Sequence, residues 1–359
     1  MNSKKYFVLF TQLLVFLATS TIFASADGEV QFEKIQFSFD SLGSLSQTHK
    51  AIYNNDHLLL FGEQVDYESH EEESRKTILS DSYAIDIDLN TLTASKILYR
   101  VEGTREDVEE KLFAFNNHVF VVTYSTNSYF KYLSLYLWYV DRWKQMTFNT
   151  ADIQFPMSYR HVEISISCFD SNTVIFATSV LGENLVILSK LEKSFGGLAY
   201  KLTRFYTTDE LPLPSSHVLF MAYTPKRFIA IVEMNFGTYH WVPDVIMDFD
   251  KKSQRFLPKE IYGKFPNWAF SGPKYVFQSK DNFLLAGGTE LIDIDQLDQS
   301  RDIWILNIPN CTYTQLPVQL PVEAMAYEWY AAFDVEKSIY YVINVDAGIY
   351  RVNLTRWLE

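Results

Sequence analysis

The sequence predicts an all-β protein: a six-bladed β-propeller of four-stranded blades, closed by an N-terminal strand that completes the last blade. Three observations carry this. Short hydrophobic runs beginning at Leu58, Val119, Val174, Phe228, Phe283 and Ile339 recur about every 55 residues, the kind of fixed period that marks solenoids and propellers. Most of them follow an aromatic residue and a polar turn, from Tyr53 with Asn54-Asn55-Asp56 to Phe333 with Asp334, which is a hairpin signal. Aromatic residues make up 16% of the chain, mostly Phe and Tyr, as strands that pack on both faces require.

Each period then supplies its remaining strands. After a variable loop, third strands are expected over 82–89, 133–140, 184–190, 244–250, 302–308 and 348–354. A fourth follows, as at Ala94 to Tyr99, Gln145 to Phe148 and Leu198 to Tyr206. The sixth period stops soon after its third strand, whereas 30–39, ahead of the first blade, alternates apolar with polar residues. This surplus strand is expected to fill the missing place and leave no open gap in the ring. Two separate β-domains are the other arrangement open to the same strands.

At Leu58-Leu59-Leu60-Phe61-Gly62 and Phe283-Leu284-Leu285-Ala286-Gly287-Gly288 the chain resembles the kelch-like β-propeller family. The third strand Asp302-Ile303-Trp304-Ile305-Leu306-Asn307 and the aromatic at Trp143 or Trp357 add to the likeness, although one blade alone keeps the glycine pair. Some secreted members of that family are copper oxidases, which would imply Tyr, His and Cys ligands converging on the axis. The two cysteines and seven histidines here form no such ligand motif.

The N-terminus reads as an export leader. Lys4 and Lys5 precede an apolar run to Ala18, and Ala24-Ser25-Ala26 fits small-residue cleavage before Asp27. Residues 1–26 are then a signal peptide and 27–359 the propeller, a secreted, extracellular monomer with no membrane span once the leader is cut. An uncleaved anchor helix is the rival reading, opposed by the polar Thr19-Ser20-Thr21. Export makes Asn310-Cys311-Thr312 and Asn353-Leu354-Thr355 glycosylation sequons. Cys168 and Cys311 fall two blades apart, which argues against a disulfide. A net charge of −13 excludes nucleic acid, whose phosphates need a basic footprint.

Catalytic motifs are missing from the sequence: no G-x-S-x-G elbow, no H-E-x-x-H helix and no glycine-rich phosphate loop. No catalytic residue, cofactor or resident metal is therefore expected. His49, His161 and His217 recur near the starts of inner strands. They form either an imidazole ring near the channel mouth or, as we read them, repeat-derived residues bonded to neighbouring backbone.

Two loops between second and third strands are acid-rich. Glu63 to Asp81 contains Asp66, Glu71, Glu72 and Glu73, and Glu290 to Asp302 contains Asp293, Asp295 and Asp298. Calcium favours such oxygen donors, but Asp293-x-Asp295 lacks the glycine and distal glutamate of an EF-hand loop. Tyr239, Trp241 and Trp268 either rim a recognition surface beside these carboxylates or cover gaps between blades. The functional expectation is a non-enzymatic binding protein that uses its loop face for an extracellular protein or peptide, cationic in character. The alternative is a secreted hydrolase or lyase acting on glycans or peptides, with loop carboxylates as acid and base.

Overall fold

The computed structural model describes residues 30–42, 47–64, 81–99, 108–115, 118–125, 133–139, 142–145, 162–170, 173–180, 185–193, 200–208, 216–223, 228–234, 245–250, 255–259, 262–264, 266, 268, 273–293, 296–325 and 328–358. The leader 1–26 lies outside them. The chain divides into two compact units, Met1–Gln31 and Phe32–Glu359, and the second is an all-β propeller.

Its first strand is β1, Glu33–Ile35. Four blades then follow as consecutive antiparallel meanders. The first is β2 to β5: Gln47–Asn54, His57–Gln64, Asp81–Asp88 and Thr93–Tyr99. The second is β6 to β9: Val108–Phe115, His118–Ser125, Leu133–Tyr139 and Arg142–Gln145. The third is β10 to β13: Val162–Asp170, Thr173–Val180, Leu185–Lys193 and Tyr200–Thr208. The fourth is β14 to β17: Ser216–Tyr223, Phe228–Met234, Val245–Asp250 and Arg255–Lys259.

The expectation of six such blades is corrected here: four are consecutive four-stranded meanders, and the strands that follow them form a five-stranded sheet, a two-stranded sheet and a last sheet whose fourth strand is β1. β18 (Tyr262–Gly263), β19 (Tyr275–Ser279), β20 (Asn282–Ala286), β23 (Asp302–Asn307) and β24 (Thr312–Gln319) form a five-stranded sheet. In it β18, from the connection out of the fourth blade, pairs parallel with β24. The intervening β21 (Thr289–Asp293) and β22 (Gln296–Gln299) fold into a two-stranded sheet of their own. The hydrophobic period reports where core strands recur. It says nothing of polar segments such as 289–299 that pair locally, or of a two-residue strand in a connection.

The last sheet, in the order β1-β27-β26-β25, is assembled from both ends of the chain. It contains β25 (Tyr330–Asp334), β26 (Ile339–Asn344) and β27 (Gly348–Asn353). The surplus N-terminal strand joins it through Glu33–Ile35 rather than the whole of 30–39, with Glu33 opposite Arg351 and Ile35 opposite Ile349. Arg351 Nε donates to Glu33 Oε2 at 3.0 Å across this pairing.

The apolar runs are continuous because each middle strand is covered on both faces. Leu58 and Leu60 of β3 face a core shared with Tyr330, Ala332, Tyr341 and Ile343 of the last sheet, which also takes in Ile35 and Phe39. Leu59 and Phe61, pointing the other way, pack with Val119 of the second blade and against Trp138 and Trp143. The tight turn between β2 and β3 is a two-residue loop with both residues at positive φ, Asn55 at 49° and Asp56 at 64°, the mirror-image geometry that matches strand twist. Asp56 also reaches the last sheet, pairing with Lys337 and accepting a hydrogen bond from Tyr53 at 3.0 Å, while the Tyr53 ring stacks on Tyr341.

Deleting 27–40 should strip β1 from the outer side of β27 and remove Ile35 and Phe39 from the first-to-last core. The expected result is aggregation or loss of a single cooperative unfolding transition. A truncated chain that stays monomeric with an unchanged denaturant midpoint would refute the closing role. Lys337 and then Tyr53 hold the Asp56 carboxyl below the usual range, so the stabilisation it gives is present above about pH 4 and is lost as pH falls through its folded value. In Lys337→Met the decline in stability below about pH 4 should accordingly be shallower than in the parent, read by urea unfolding at a series of pH values.

Candidate recognition face

Strand register decides which segments share an end of the blades. In the first blade Gln47 lies opposite Glu63 and Gln64 opposite Asp81, so the acid-rich stretch between Gln64 and Asp81 leaves from the end where β2 begins. In the five-stranded sheet Tyr275 lies opposite Ala286 and Ala286 opposite Ile303, placing the departure of the β21–β22 hairpin at the start of β19. In the last sheet Tyr330 lies opposite Ile343 and Asn344 opposite Gly348. The last sheet sits between the other two: it shares the core just described with the first blade and touches the fifth through Phe277 with Phe333.

The seam between the fifth and last sheets is built around one backbone carbonyl. Trp329 O accepts from Tyr275 Oη at 2.7 Å and from Lys274 Nζ at 2.9 Å. The same ammonium lies 4.7 Å from the centroid of the buried Trp329 ring and 5.5 Å from that of Tyr275. Burial lowers the Lys274 ammonium from its ordinary value, with Glu328 pulling the other way. Burial also raises the Tyr275 hydroxyl, and Glu328 adds to the rise. Tyr330 Oη donates to Glu328 Oε2 at 2.8 Å. Gly287 completes the seam: its φ is +70°, and a Cβ there would stand 2.7 Å from the Trp329 ring.

Asn344 fixes the approach to this seam. Its Nδ2 donates to the carbonyls of Ala324 and Glu328, and its Oδ1 accepts from the amides of Asp346 and Ala347. One buried amide thus ties the short helix Val322–Met325, the segment carrying Glu328 and the turn after β26. Lys274, Tyr275 and Asn344 thus all commit donors to backbone carbonyls around the seam.

The sequence-derived candidates distribute unevenly over this face. Asp66, Glu71, Glu72, Glu73, Tyr239, Trp241 and Asp295 lie outside the described residues, as does His161. Asp298 is exposed in β22, directly opposite Glu290, and its Oδ1 accepts from the Gln299 amide; Asp293 is opposite Gln296. Trp268 is only 1% exposed and belongs to a core cluster with Phe283, Leu285, Trp304 and Tyr313, so its ring fills the fifth sheet's core and forms no rim. Asp302 is held by the side-chain amides of Gln315 and Gln319. His49 and His217 fall in β2 and β14, and a different histidine has a partner here: His57 Nδ1 lies 2.7 Å from Asp86 Oδ1. Cys311 is buried with Sγ directed at the Ile308 carbonyl.

Among the described residues no group of three or more His, Cys, Asp or Glu is placed to hold a metal ion, and no helix is long and apolar enough to cross a membrane. Lys274, Tyr275, Glu328, Trp329 and Asn344 escaped the sequence reading. The Trp329-Tyr330 doublet at the start of β25 was the available signal.

No family model and no curated protein sequence matches the chain, so the kelch-like resemblance rests on the residues that suggested it. Solved structures similar to it are propeller proteins. A GH93 alpha-L-arabinofuranosidase of Fusarium graminearum, in complex with arabinobiose, aligns at 10% identity and a TM-score of 0.47, over 92% of this chain and 98% of that one. YjhT aligns at 9% identity and 0.45, over 87% and 98%. TolB from Acinetobacter baumannii aligns at 12% and 0.37, over 76% of this chain and 59% of its own.

Gly287→Ala should force both a left-handed alanine and a collision with Trp329, destabilising the protein by about 1–3 kcal/mol. The check is a lower urea midpoint at unchanged slope. Asn344→Ala should cost a similar or larger amount, because it strands two carbonyls and two amides in a buried site.

Proposed function

We propose that the chain is an exported binding protein whose loop end receives a cationic protein or peptide. The observation that carries this reading is the register. It sends both acid-rich segments from the same end of the strands, one on either side of the last sheet. Acid catalysis on a glycan or peptide would instead need two carboxyl groups at a defined separation around a pocket. Asp298 is exposed and Asp302 is tied into its own sheet, which favours binding.

Complementary charge acts mainly on encounter, because separations beyond about 8 Å are screened at physiological ionic strength. Partners captured from extracellular fluid on the immobilised protein should associate more slowly as salt rises. Changing Glu71, Glu72, Glu73, Asp293, Asp295 and Asp298 to their amides should slow association in the same way while leaving the unfolding midpoint unchanged. A captured partner indifferent to both treatments would overturn the proposal.

A further inference from the structure

The two sequons lie at the end of the blades opposite the acid-rich segments. Asn310 occupies the turn between β23 and β24, where Asn307 lies opposite Thr312. Asn353 is the last residue of β27, opposite Ile339 at the start of β26. Both asparagines are exposed. Between them Cys311 and Leu354 are buried, so each sequon has its middle residue anchored in the core and its asparagine turned outward.

A relay of amides joins the two sites. The Asn310 N–H donates to Asn307 Oδ1 at 3.0 Å, Asn307 Nδ2 donates to Asn282 Oδ1 at 3.0 Å, and Asn282 Nδ2 donates to the Leu358 carbonyl at 3.4 Å. Leu358 closes the helix Thr355–Leu358, which begins two residues after Asn353. The relay therefore crosses from the fifth sheet to the C-terminal end of the last one, putting both sequons on one seam. The hydrogen bond at Asn353 uses the oxygen: Oδ1 accepts from the Thr355 N–H at 2.9 Å. A sugar on Nδ2 leaves that bond in place.

We propose that Asn310 and Asn353 carry N-linked oligosaccharides that together cover the seam between the fifth and last sheets at the turn end, leaving the loop end bare. The donor is a lipid-diphosphate-linked oligosaccharide. Asparagine Nδ2 forms a bond to its anomeric carbon as the carbon–oxygen bond to the diphosphate breaks; the lipid diphosphate departs and one Nδ2 proton goes to solvent. The inference rests on the export reading.

The test expresses the full chain in cultured eukaryotic cells, once with its own leader and once with residues 1–26 replaced by an established secretory leader. Secreted protein is compared before and after peptide-N-glycosidase treatment by intact mass. The parent should lose two glycan increments. Asn310→Gln and Asn353→Gln should each lack one, and the double variant both. Thr312→Ala and Thr355→Ala, which keep the asparagines and the relay, should reproduce the single losses. A bare polypeptide mass from the replaced leader, or a glycan that survives both threonine changes, overturns the inference. Retention with the native leader, beside glycosylation with the replaced one, overturns the export reading alone and upholds the two sites.

Discussion

Everything else in this fold depends on covering both faces of the middle strands. A strand such as β3 carries Leu58 and Leu60 on one side and Leu59 and Phe61 on the other, so its blade is stable only between two neighbours. Fully burying an aliphatic side chain is worth about 1.5–3 kcal/mol. The four leucine and phenylalanine side chains of this one strand thus represent an amount comparable to the net stability of a typical domain. For the first blade, one of those neighbours is the last sheet. Pairing β1 with β27 fastens that sheet to the start of the chain, while Asp56 with Lys337 and Tyr53 on Tyr341 fasten the same junction at the turns.

The junction between the fifth and last sheets is solved with different chemistry. There the apolar contact of Phe277 with Phe333 and Tyr340 is topped by a carbonyl that receives a phenol and an ammonium. Burying the ammonium is unfavourable, as its lowered pKa records, and two aromatic faces together with the carbonyl offset that cost. Gly287 is required because the Trp329 ring occupies the space a side chain would take. One glycine, one ring and one carbonyl thus set the spacing of two sheets.

What was legible in the sequence follows from this physics. Strands buried on both faces repeat their apolar runs, so β3, β7, β11, β15, β20 and β26 stood out with their turns, and so did the alternating segment that contains β1. Pairings driven by local polar register leave no such trace, which is why β18 and the β21–β22 hairpin went unseen and six regular blades were expected. The same blindness shaped the site. Trp268, in the connection ahead of the fifth sheet, reads from sequence as a surface rim or a cover between blades, yet its burial in a core cluster depends on distant residues such as Trp304. Asp302 was counted with the acidic loop because its captors, Gln315 and Gln319, lie on another strand.

The two ends of the blades are under unequal constraint. At the turn end, the two-residue loop Asn55-Asp56, with both residues left-handed, fixes the register of the β2–β3 hairpin, and a change of length there would shift a whole strand by one face. At the other end the pairs Gln64 with Asp81 and Ala286 with Ile303 hold the strands whatever connects them. Closing a connection costs only about 0.6 kcal/mol more for each doubling of its length. The stretch between Gln64 and Asp81 is some four times longer than an ordinary four-residue hairpin loop, so its length costs on the order of 1 kcal/mol against a core worth far more. Acidic residues can therefore accumulate in the chain between these pairs without endangering the fold.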